Sequence, residues 1–299
     1  GGVLERIPEG VRHVFVVDDA CPDHSGQLAA GRNDPRVTVI AHARNLGVGA
    51  AMASGYRAAL AAGADVVVKI DADGQMDPAL IDQFVRPIAE GRADYTKGNR
   101  FFRLDSLKGM PVIRLLGNSL LSLVNKMSSG YWDIMDPTNG YTAIHARVLR
   151  MIPLEKLSPR YFFESDMLFR LGTLRAVVRD VPMDAIYEGA PSSLRIGKVL
   201  TDFPLRYVTR VLKRVFYAYF LRDFNAGTVQ LSLGALLVLA GSAWGAWHWW
   251  ESIATGQAAT TGTVMLAALP ILLGGQLLIA ALNYDIANVP RRPLHPSLG

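Results

Sequence analysis

The sequence predicts an α/β domain followed by two membrane-spanning helices, and three observations carry this prediction. Short apolar runs rich in β-branched residues alternate with helical segments over the first two thirds of the 299 residues. Nearly all of the charge lies there, whereas Thr228–Trp250 and Gly262–Tyr284 contain no Asp, Glu, Lys or Arg. Each of these segments has 23 residues, and roughly 20 suffice to cross the hydrocarbon core of a bilayer.

The elements of the α/β domain follow a regular order up to residue 90. Val11–Val17 and Val37–Ala41 are short apolar runs typical of buried parallel strands. Gly47–Ala62 is rich in alanine, which favours a helix packed closely on a sheet, and Asp65–Ile70 is a third apolar strand. Pro78–Glu90 is predicted to be a helix, because an aspartate N-cap followed by proline favours helix initiation. This alternation predicts a doubly wound sheet.

The organisation beyond residue 90 is less regular. Helices are predicted around Ile113–Lys126 and Phe163–Leu174, with a turn at Asp136–Gly140 between them. Thr201–Phe224 has basic residues on one face and apolar residues on another, which is typical of a helix lying on an anionic membrane surface. The predicted units are the α/β domain (1–195), a basic amphipathic interface segment (196–226), a transmembrane hairpin (227–285) and a cytoplasmic tail (286–299).

Charge and cysteine content narrow the class of protein. The net charge is +5, and basic residues crowd between Arg195 and Arg222, directly before the first apolar segment. This position indicates a membrane surface as the partner, and no nucleic acid, because no nucleic-acid-binding module is recognisable. Cys21 is the sole cysteine of the sequence, so a reducing compartment is expected.

The flanks of the two apolar segments predict their orientation. Lys213, Arg214 and Arg222 precede the first segment, and Arg291 and Arg292 follow the second, whereas the connection between them has no Lys or Arg. By the positive-inside rule both ends lie in the cytoplasm. The sequence therefore predicts an integral protein of the inner (cytoplasmic) membrane with its α/β domain on the cytoplasmic side.

An acidic loop after the third predicted strand carries the strongest chemical signal. Asp71 and Asp73 are separated by one residue, and Gln75 follows two positions later. Oxygen ligands of this kind suit Mg²⁺ or Mn²⁺ and leave coordination positions for phosphate oxygens. Sheets of this topology bind ligands beyond the carboxyl ends of their strands. The loop therefore predicts a divalent-cation site that serves a diphosphate.

Five short motifs occur in a fixed order along the α/β domain. They are VVDDACPD (16–23), NLGVGAA (45–51), DADGQMDP (71–78), KGNR (97–100) and DPTNGY (136–141). This ordered set resembles family 2 glycosyltransferases of the dolichyl-phosphate-mannose-synthase type, with Ala20, Cys21 and Asn99 departing from the usual pattern. The resemblance covers roughly residues 1–195. It implies a glycosyltransferase A-type domain, Rossmann-like with a mostly parallel sheet, in a membrane-anchored enzyme.

The resemblance also implies an activity and assigns roles to residues. The activity is an inverting, metal-dependent hexosyltransferase reaction from a nucleotide-diphosphate sugar to a polyprenyl phosphate, with Mg²⁺ or Mn²⁺ as cofactor. The implied roles are Asp18 or Asp19 at the nucleoside, Asp71 near the ribose or metal, Asp73 with Gln75 at the metal, and Arg100 at a phosphate.

The acceptor side is less sharply defined. In the segment YFFESDM, Asp166 is the first candidate for a base or acceptor-orienting residue and Glu164 the second, with a helix N-cap as the alternative. Ser193, Arg195 and Lys198 precede the amphipathic segment and are the candidates that would hold the acceptor phosphate. A polyprenyl phosphate, with a second pKa near about 6, is already anionic and needs little help from a base.

Other interpretations stay open. A sugar hydroxyl of a glycolipid or polysaccharide is the alternative acceptor, and an inactive membrane scaffold of the same fold is the non-enzymatic alternative. The family opens with a strand and a P-x-Y-N-E motif where this chain has Gly1–Gly10, so an N-terminal strand is expected to be missing. A dinucleotide-binding loop is disfavoured, because Met52 replaces its third glycine. Gly274–Gly275 offers small residues for self-association. The sequence specifies neither the sugar and nucleotide nor the polyprenol.

Overall fold

The structure is a computed structural model that describes residues 2–102, 112–184 and 196–298. The chain divides into two compact units. The first unit comprises Gly1–Arg214 together with Pro290–Gly299, and the second unit is Val215–Val289.

The first unit contains one parallel strand pair and one mixed four-stranded sheet. The strands of the described residues are β1 (Val14–Asp18), β2 (Val37–Ala41), β3 (Val66–Lys69), β4 (Tyr95–Asn99), β5 (Thr142–His145) and β6 (Val178–Pro182). β1 pairs with β2, and the larger sheet has the order β3-β5-β4-β6. The predicted α/β class is confirmed, but β5 runs antiparallel to both of its neighbours and makes the larger sheet mixed.

Strand direction gathers three predicted motifs at one edge of the mixed sheet. β4 and β6 are parallel, and β3 runs the same way because both β3 and β4 are antiparallel to β5. The acidic loop therefore leaves β3, Arg100 leaves β4, and the turn at 136–141 enters β5 at the same edge. The predicted binding edge is thus formed by three segments that are far apart in the sequence.

Helices cover the sheets and follow the predicted pattern closely. The α-helices of the described residues are α1 (Gly2–Glu5), α2 (Ser25–Ala30), α3 (Val48–Ala61), α4 (Ile81–Ala89), α5 (Val112–Ser129), α6 (Ala146–Arg150), α7 (Phe163–Leu174), α8 (Ile196–Phe216), α9 (Ala226–Thr255) and α10 (Thr261–Ala287). α4 follows a 3₁₀ turn at Pro78–Leu80, whose N-cap Asp77 accepts a hydrogen bond from the Ala79 N–H at 3.1 Å.

The core beneath the binding edge is built from α4 and the mixed sheet. Phe84 and Ile88 of α4 are fully buried against Tyr141 and Ala143 of the turn and β5. The rings of Phe84 and Tyr141 stack with centroids 3.9 Å apart. Burying such an aromatic side chain contributes about 1.5–3 kcal/mol, so this packing stabilises the turn that faces the acidic loop.

α8 directs basic side chains into the first unit. The Arg210 Nε donates to Asp166 Oδ1 at 2.8 Å, and the buried Arg214 donates to the Met127 carbonyl. Leu205 and Leu212 on another side of the helix are well exposed. Ion pairing and hydrogen bonding therefore hold Arg210 and Arg214, while Arg206 and Lys213 stay exposed on α8 together with the leucines.

The second unit is a hairpin of two long apolar helices, α9 and α10. Both are long and apolar enough to cross a membrane, and only 22% and 11% of the most apolar 18-residue stretch of each helix is buried. Such low burial distinguishes them from core helices of a soluble domain. A Cβ on Gly274 would lie 2.7 Å from the Gly234 carbonyl oxygen, so Gly274 serves the close approach of the two helices within the hairpin.

The residues that follow the hairpin return to the first unit. The backbone N–H groups of Leu294 and His295 and the His295 Nδ1 all lie 2.8–2.9 Å from carboxylate oxygens of the fully buried Asp94. The His295 ring stacks on His145 at a centroid distance of 4.2 Å. This docking of the tail is not evident from the sequence.

Candidate active site

The acidic loop presents two carboxylates at the edge of the mixed sheet. The Asp71 side chain is 34% exposed, and Asp73 is exposed. The Gln75 N–H donates to Asp73 Oδ1 at 3.0 Å, which closes a tight turn. Gly74 has φ of +81°, a conformation that suits glycine. The loop is thus shaped by its own residues and leaves Asp73 facing solvent.

Lys69, the last residue of β3, lies directly beneath this loop. Its side chain is only 3% exposed, and its Nζ lies 2.9 Å from Asp71 Oδ1 and 3.3 Å from Glu164 Oε1. Burial alone would lower the pKa of Lys69, but the Glu164 and Asp71 carboxylates raise it well above its ordinary value. Lys69 is not among the site residues predicted from the sequence, although a lysine inside an otherwise apolar strand is a visible signal.

The turn of the DPTNGY motif packs against the same loop. A Cβ on Gly140 would overlap Asp71 Oδ2 and would lie 2.6 Å from Lys69 Nζ. The Tyr141 hydroxyl donates to the Asp77 carbonyl at 3.1 Å. Glycine at position 140 therefore gives room to the ends of the Asp71 and Lys69 side chains where the turn approaches the acidic loop.

Arg100 is held in place by a buried carboxylate of the same turn. Its Nε and Nη2 donate to the two oxygens of Asp136 at 2.7 and 3.0 Å, and Asp136 is fully buried. The neighbouring Lys97 is also fully buried and donates to the Asn139 carbonyl. Burial lowers the pKa of Lys97 to about 8. Arg100 therefore has a fixed orientation at the binding edge.

Asp18 and Asp19, the predicted nucleoside ligands, organise the loops after β1. Backbone N–H groups occupy their carboxylates, and His42 Nδ1 lies 2.7 Å from Asp19 Oδ1. Burial alone would raise the pKa of Asp19, but these N–H groups and His42 together lower it. The N–H donors are Cys21 and Gly26 for Asp18 (2.7 and 3.0 Å), and Leu46 and Gly47 for Asp19 (2.9 and 2.7 Å).

Asp166 and Glu164 differ sharply although both lie in the first turn of α7. Asp166 is fully buried and accepts hydrogen bonds from the Ser158 N–H at 3.0 Å, Arg170 at 3.2 Å and Arg210 at 2.8 Å. Glu164 instead lies at the binding edge, where its Oε1 accepts a hydrogen bond from the Nζ of Lys69 at 3.3 Å. These contacts favour a structural role for Asp166 and leave Glu164 as the better acceptor-side candidate.

The residues predicted to hold the acceptor phosphate lie at the margin of what the structure describes. Ser193 and Arg195 lie outside the described residues, and Lys198 belongs to α8 but its side chain lies outside them. Further along α8, the Tyr207 hydroxyl is 2.8 Å from the Ser165 hydroxyl and 3.0 Å from Asn125 Nδ2. These buried polar contacts join α8 to α7 and α5.

The residues of the acidic loop fit a cation that is shared with a diphosphate. Among the described residues, no group of three His, Cys, Asp or Glu side chains is arranged to hold a metal ion. Asp71 and Asp73 supply two carboxylates from one loop, and Gln75 can add an amide oxygen. A hard divalent cation accepts this set when phosphate oxygens complete its coordination.

The fold and the arrangement of this edge define the chain as a glycosyltransferase of the A-type fold. The model of the family described as glycosyl transferase family 2 matches residues 2–152, and the chain belongs to this family. The family predicted from the motifs is therefore confirmed.

Two named glycosyltransferases are similar to this chain in sequence. The chain is 33% identical over 205 residues to the undecaprenyl-phosphate mannosyltransferase of Micrococcus luteus, covering 68% of this chain and 82% of that one. It is 30% identical over 178 residues to the UDP-N-acetylglucosamine--dolichyl-phosphate N-acetylglucosaminyltransferase of Methanococcus voltae, covering 60% and 70%.

A solved structure supports the fold. Glucosyl-3-phosphoglycerate synthase from Mycobacterium tuberculosis, in complex with Mn²⁺, uridine diphosphate and phosphoglyceric acid, superposes with a TM-score of 0.50 at 20% identity. The match covers 71% of this chain and 72% of that one.

Proposed function

We propose that this chain transfers a sugar from a nucleoside-diphosphate sugar to a polyprenyl phosphate. The proposal rests on the ion pairs that occupy the two carboxylates on the acceptor side. Two arginines engage Asp166, and Lys69 engages Glu164. A hydroxyl acceptor needs a general base, whereas a phosphate monoester with a second pKa near about 6 is already an anionic nucleophile. The relatives from M. luteus and M. voltae are named for transfer to lipid phosphates of this kind.

The donor side of the proposal rests on the acidic loop. Asp71 and Asp73, with Gln75, would hold Mg²⁺ or Mn²⁺, and this cation would supply charge neutralisation for a departing nucleoside diphosphate. Arg100, oriented by its bidentate contact with Asp136, faces a phosphate of the donor or acceptor. The loops organised by Asp18 and Asp19 receive the nucleoside.

The acceptor side of the proposal places the lipid phosphate beside α7 and α8. The ion pair of Glu164 with Lys69 orients the acceptor at the edge of the donor loop, and Asp166 positions Arg210 and Arg170. Ser193, Arg195 and Lys198 hold the acceptor phosphate. The attacking phosphate oxygen displaces the nucleoside diphosphate in line at the anomeric carbon, which inverts its configuration.

The membrane part of the proposal uses the hairpin. α9 and α10 span the inner membrane with both ends in the cytoplasm, as the distribution of Lys and Arg in their flanks supports. The exposed leucines Leu205 and Leu212 of α8 suit contact with the acyl boundary of a membrane surface.

A lipid-labelling experiment tests the proposal. Full-length protein in detergent is incubated with labelled UDP- or GDP-sugars, undecaprenyl phosphate and Mg²⁺ or Mn²⁺, and label is counted in the organic phase. Label that is absent in Asp73→Ala and retained in Asp82→Ala, an exposed carboxylate of α4 outside the loop, supports the assignment. Metal-dependent donor hydrolysis without lipid label would move the acceptor to a hydroxyl. Absence of both activities would favour a scaffold.

A further inference from the structure

Lys69 separates two carboxylates that belong to different halves of the proposed reaction. Asp71 belongs to the donor loop and Glu164 to the acceptor side, and both reach the same ammonium nitrogen, at 2.9 and 3.3 Å. The ammonium is almost fully buried, so water does not screen its charge. The pairing connects positions 95 residues apart in the sequence.

The position of the ammonium is one that a cation would otherwise favour. Asp71 and Glu164 oxygens lie around a single point, and Asp73 follows on the same loop. Without the ammonium, the carboxylates of Asp71 and Glu164 would face one point and would attract a divalent cation with less help from substrate. With Lys69 present, Glu164 is neutralised and Asp71 is shared, which leaves an incomplete set of ligands.

Gly140 makes room for the lysine in this position. The glycine lies so close to Lys69 and Asp71 that a Cβ would overlap with both side chains. The absence of a side chain at position 140 therefore leaves the space that the ammonium and the Asp71 carboxylate occupy. The ammonium lies between the turn, the acidic loop and Glu164.

We propose that Lys69 is a positioning residue that makes divalent-cation binding depend on the donor diphosphate. The proposal rests on the cation site of the proposed function. A unit charge a few ångströms away opposes a free Mn²⁺ or Mg²⁺ strongly in a protein-like dielectric. The two or more negative charges of a nucleoside diphosphate offset this repulsion and supply the missing oxygen ligands. Cation and donor then bind together, and Glu164 stays paired with Lys69 instead of joining the cation.

Mn²⁺ binding measured by the electron paramagnetic resonance signal of the free ion tests the proposal without any turnover. Full-length protein in detergent is titrated with Mn²⁺ alone, and then in the presence of UDP or GDP. The wild type should bind Mn²⁺ weakly alone and more tightly with one nucleotide. Lys69→Met should bind Mn²⁺ alone at least about tenfold more tightly than the wild type, with a smaller gain from nucleotide.

Control variants locate the effect. Lys69→Arg keeps the charge and should behave as the wild type, and the double variant Lys69→Met with Asp71→Asn should lose the added affinity. Lys126→Met removes another lysine that bonds a backbone carbonyl, that of Trp132 outside the acidic loop, and it should leave Mn²⁺ binding unchanged. If Lys69→Met lowers the unfolding temperature, Lys69→Gln replaces it, because the neutral amide still donates hydrogen bonds to the carboxylates. Lys69→Gln should also bind Mn²⁺ alone more tightly than the wild type.

Two results would overturn the proposal. One is nucleotide-free Mn²⁺ affinity in folded Lys69→Met or Lys69→Gln that equals or falls below that of the wild type. The other is wild-type Mn²⁺ affinity that no nucleotide changes. Lipid labelling is scored separately, so tighter Mn²⁺ binding in a protein that labels no lipid would uphold the role of Lys69 while the acceptor assignment failed.

Discussion

Two groups of aspartates in the first unit look alike in the sequence and differ in their surroundings. Asp94, Asp136 and Asp166 are fully buried, and arginines or N–H groups occupy their oxygens. Asp71 and Asp73 lie on a loop at the sheet edge, and Asp73 faces solvent. An aspartate whose oxygens are all occupied by hydrogen-bond donors stabilises the fold, whereas one with open oxygens is available to a ligand. Occurrence in a sequence motif does not distinguish the two.

The largest expected effect contrasts Asp166 with Asp73. Asp166→Ala leaves the buried arginine contacts without their carboxylate and should lower the free energy of unfolding by about 3–5 kcal/mol. Asp73→Ala should lower it by about 1 kcal/mol or less, because the exposed side chain gives up only its hydrogen bond from the Gln75 N–H, while abolishing transfer. Denaturant unfolding of both variants measures the difference. Equal stability losses would remove the distinction between the two groups.

A smaller effect is expected at the pair of Arg100 and Asp136. Arg100→Lys keeps the charge but cannot reproduce two parallel hydrogen bonds to a buried carboxylate, so a stability loss of about 1–3 kcal/mol is expected. The apparent affinity for the sugar donor or lipid acceptor should fall as well. Unfolding and initial-rate measurements on one preparation test both. Unchanged affinity for both substrates would assign Arg100 to the fold alone.

The pH dependence of stability at Asp180 tests the difference between buried and exposed aspartates. Burial raises the pKa of Asp180 to about 6, with partial compensation from the Met135 N–H. Because the folded pKa exceeds the ordinary value, the protonated form favours folding, and this stability is lost as pH rises through about 6. The wild type should lose about 1–2 kcal/mol relative to Asp180→Asn between pH 5 and pH 7. If the free energies of unfolding of the wild type and Asp180→Asn changed by the same amount between pH 5 and pH 7, the raised pKa of Asp180 would be contradicted.

The smallest expected effect concerns the docked tail. His295→Ala removes the side-chain contact to Asp94 and the stacking on His145, but the backbone N–H groups of Leu294 and His295 still reach Asp94. The expected loss is about 1 kcal/mol. Thermal unfolding of the full chain measures it, with Ser297→Ala as a control on the same tail. An equal shift in both variants would assign the loss to the tail as a whole.

Much of the fold follows from local sequence, whereas the site depends on contacts between distant residues. α7 begins and ends where its apolar pattern predicts, and the two long apolar segments lie within α9 and α10. The four residues of β5 carry no periodic signal, so their antiparallel insertion was not predicted.

The choice between the two acidic residues of α7 illustrates why the site is harder to predict. Glu164 and Asp166 are two positions apart, and both suit an acceptor-side role by residue type. Their roles diverge because Arg210 lies 44 positions away from Asp166 and Lys69 lies 95 positions away from Glu164. A motif records which residue types occur together, and only the fold determines which partner each one meets.

The return of the tail gives the hairpin an unusual topological status. The chain leaves the first unit after Arg214 and re-enters it at Pro290, so the hairpin is an insertion within the folded unit rather than an appendage. Cutting the chain at Arg214 would strip Asp94 of the donors that the tail provides. A soluble version should therefore join residues 214 and 290 with a flexible linker, which keeps the tail at a high effective concentration. A separate peptide of residues 290–298 would have to be added at the corresponding concentration to achieve the same occupancy.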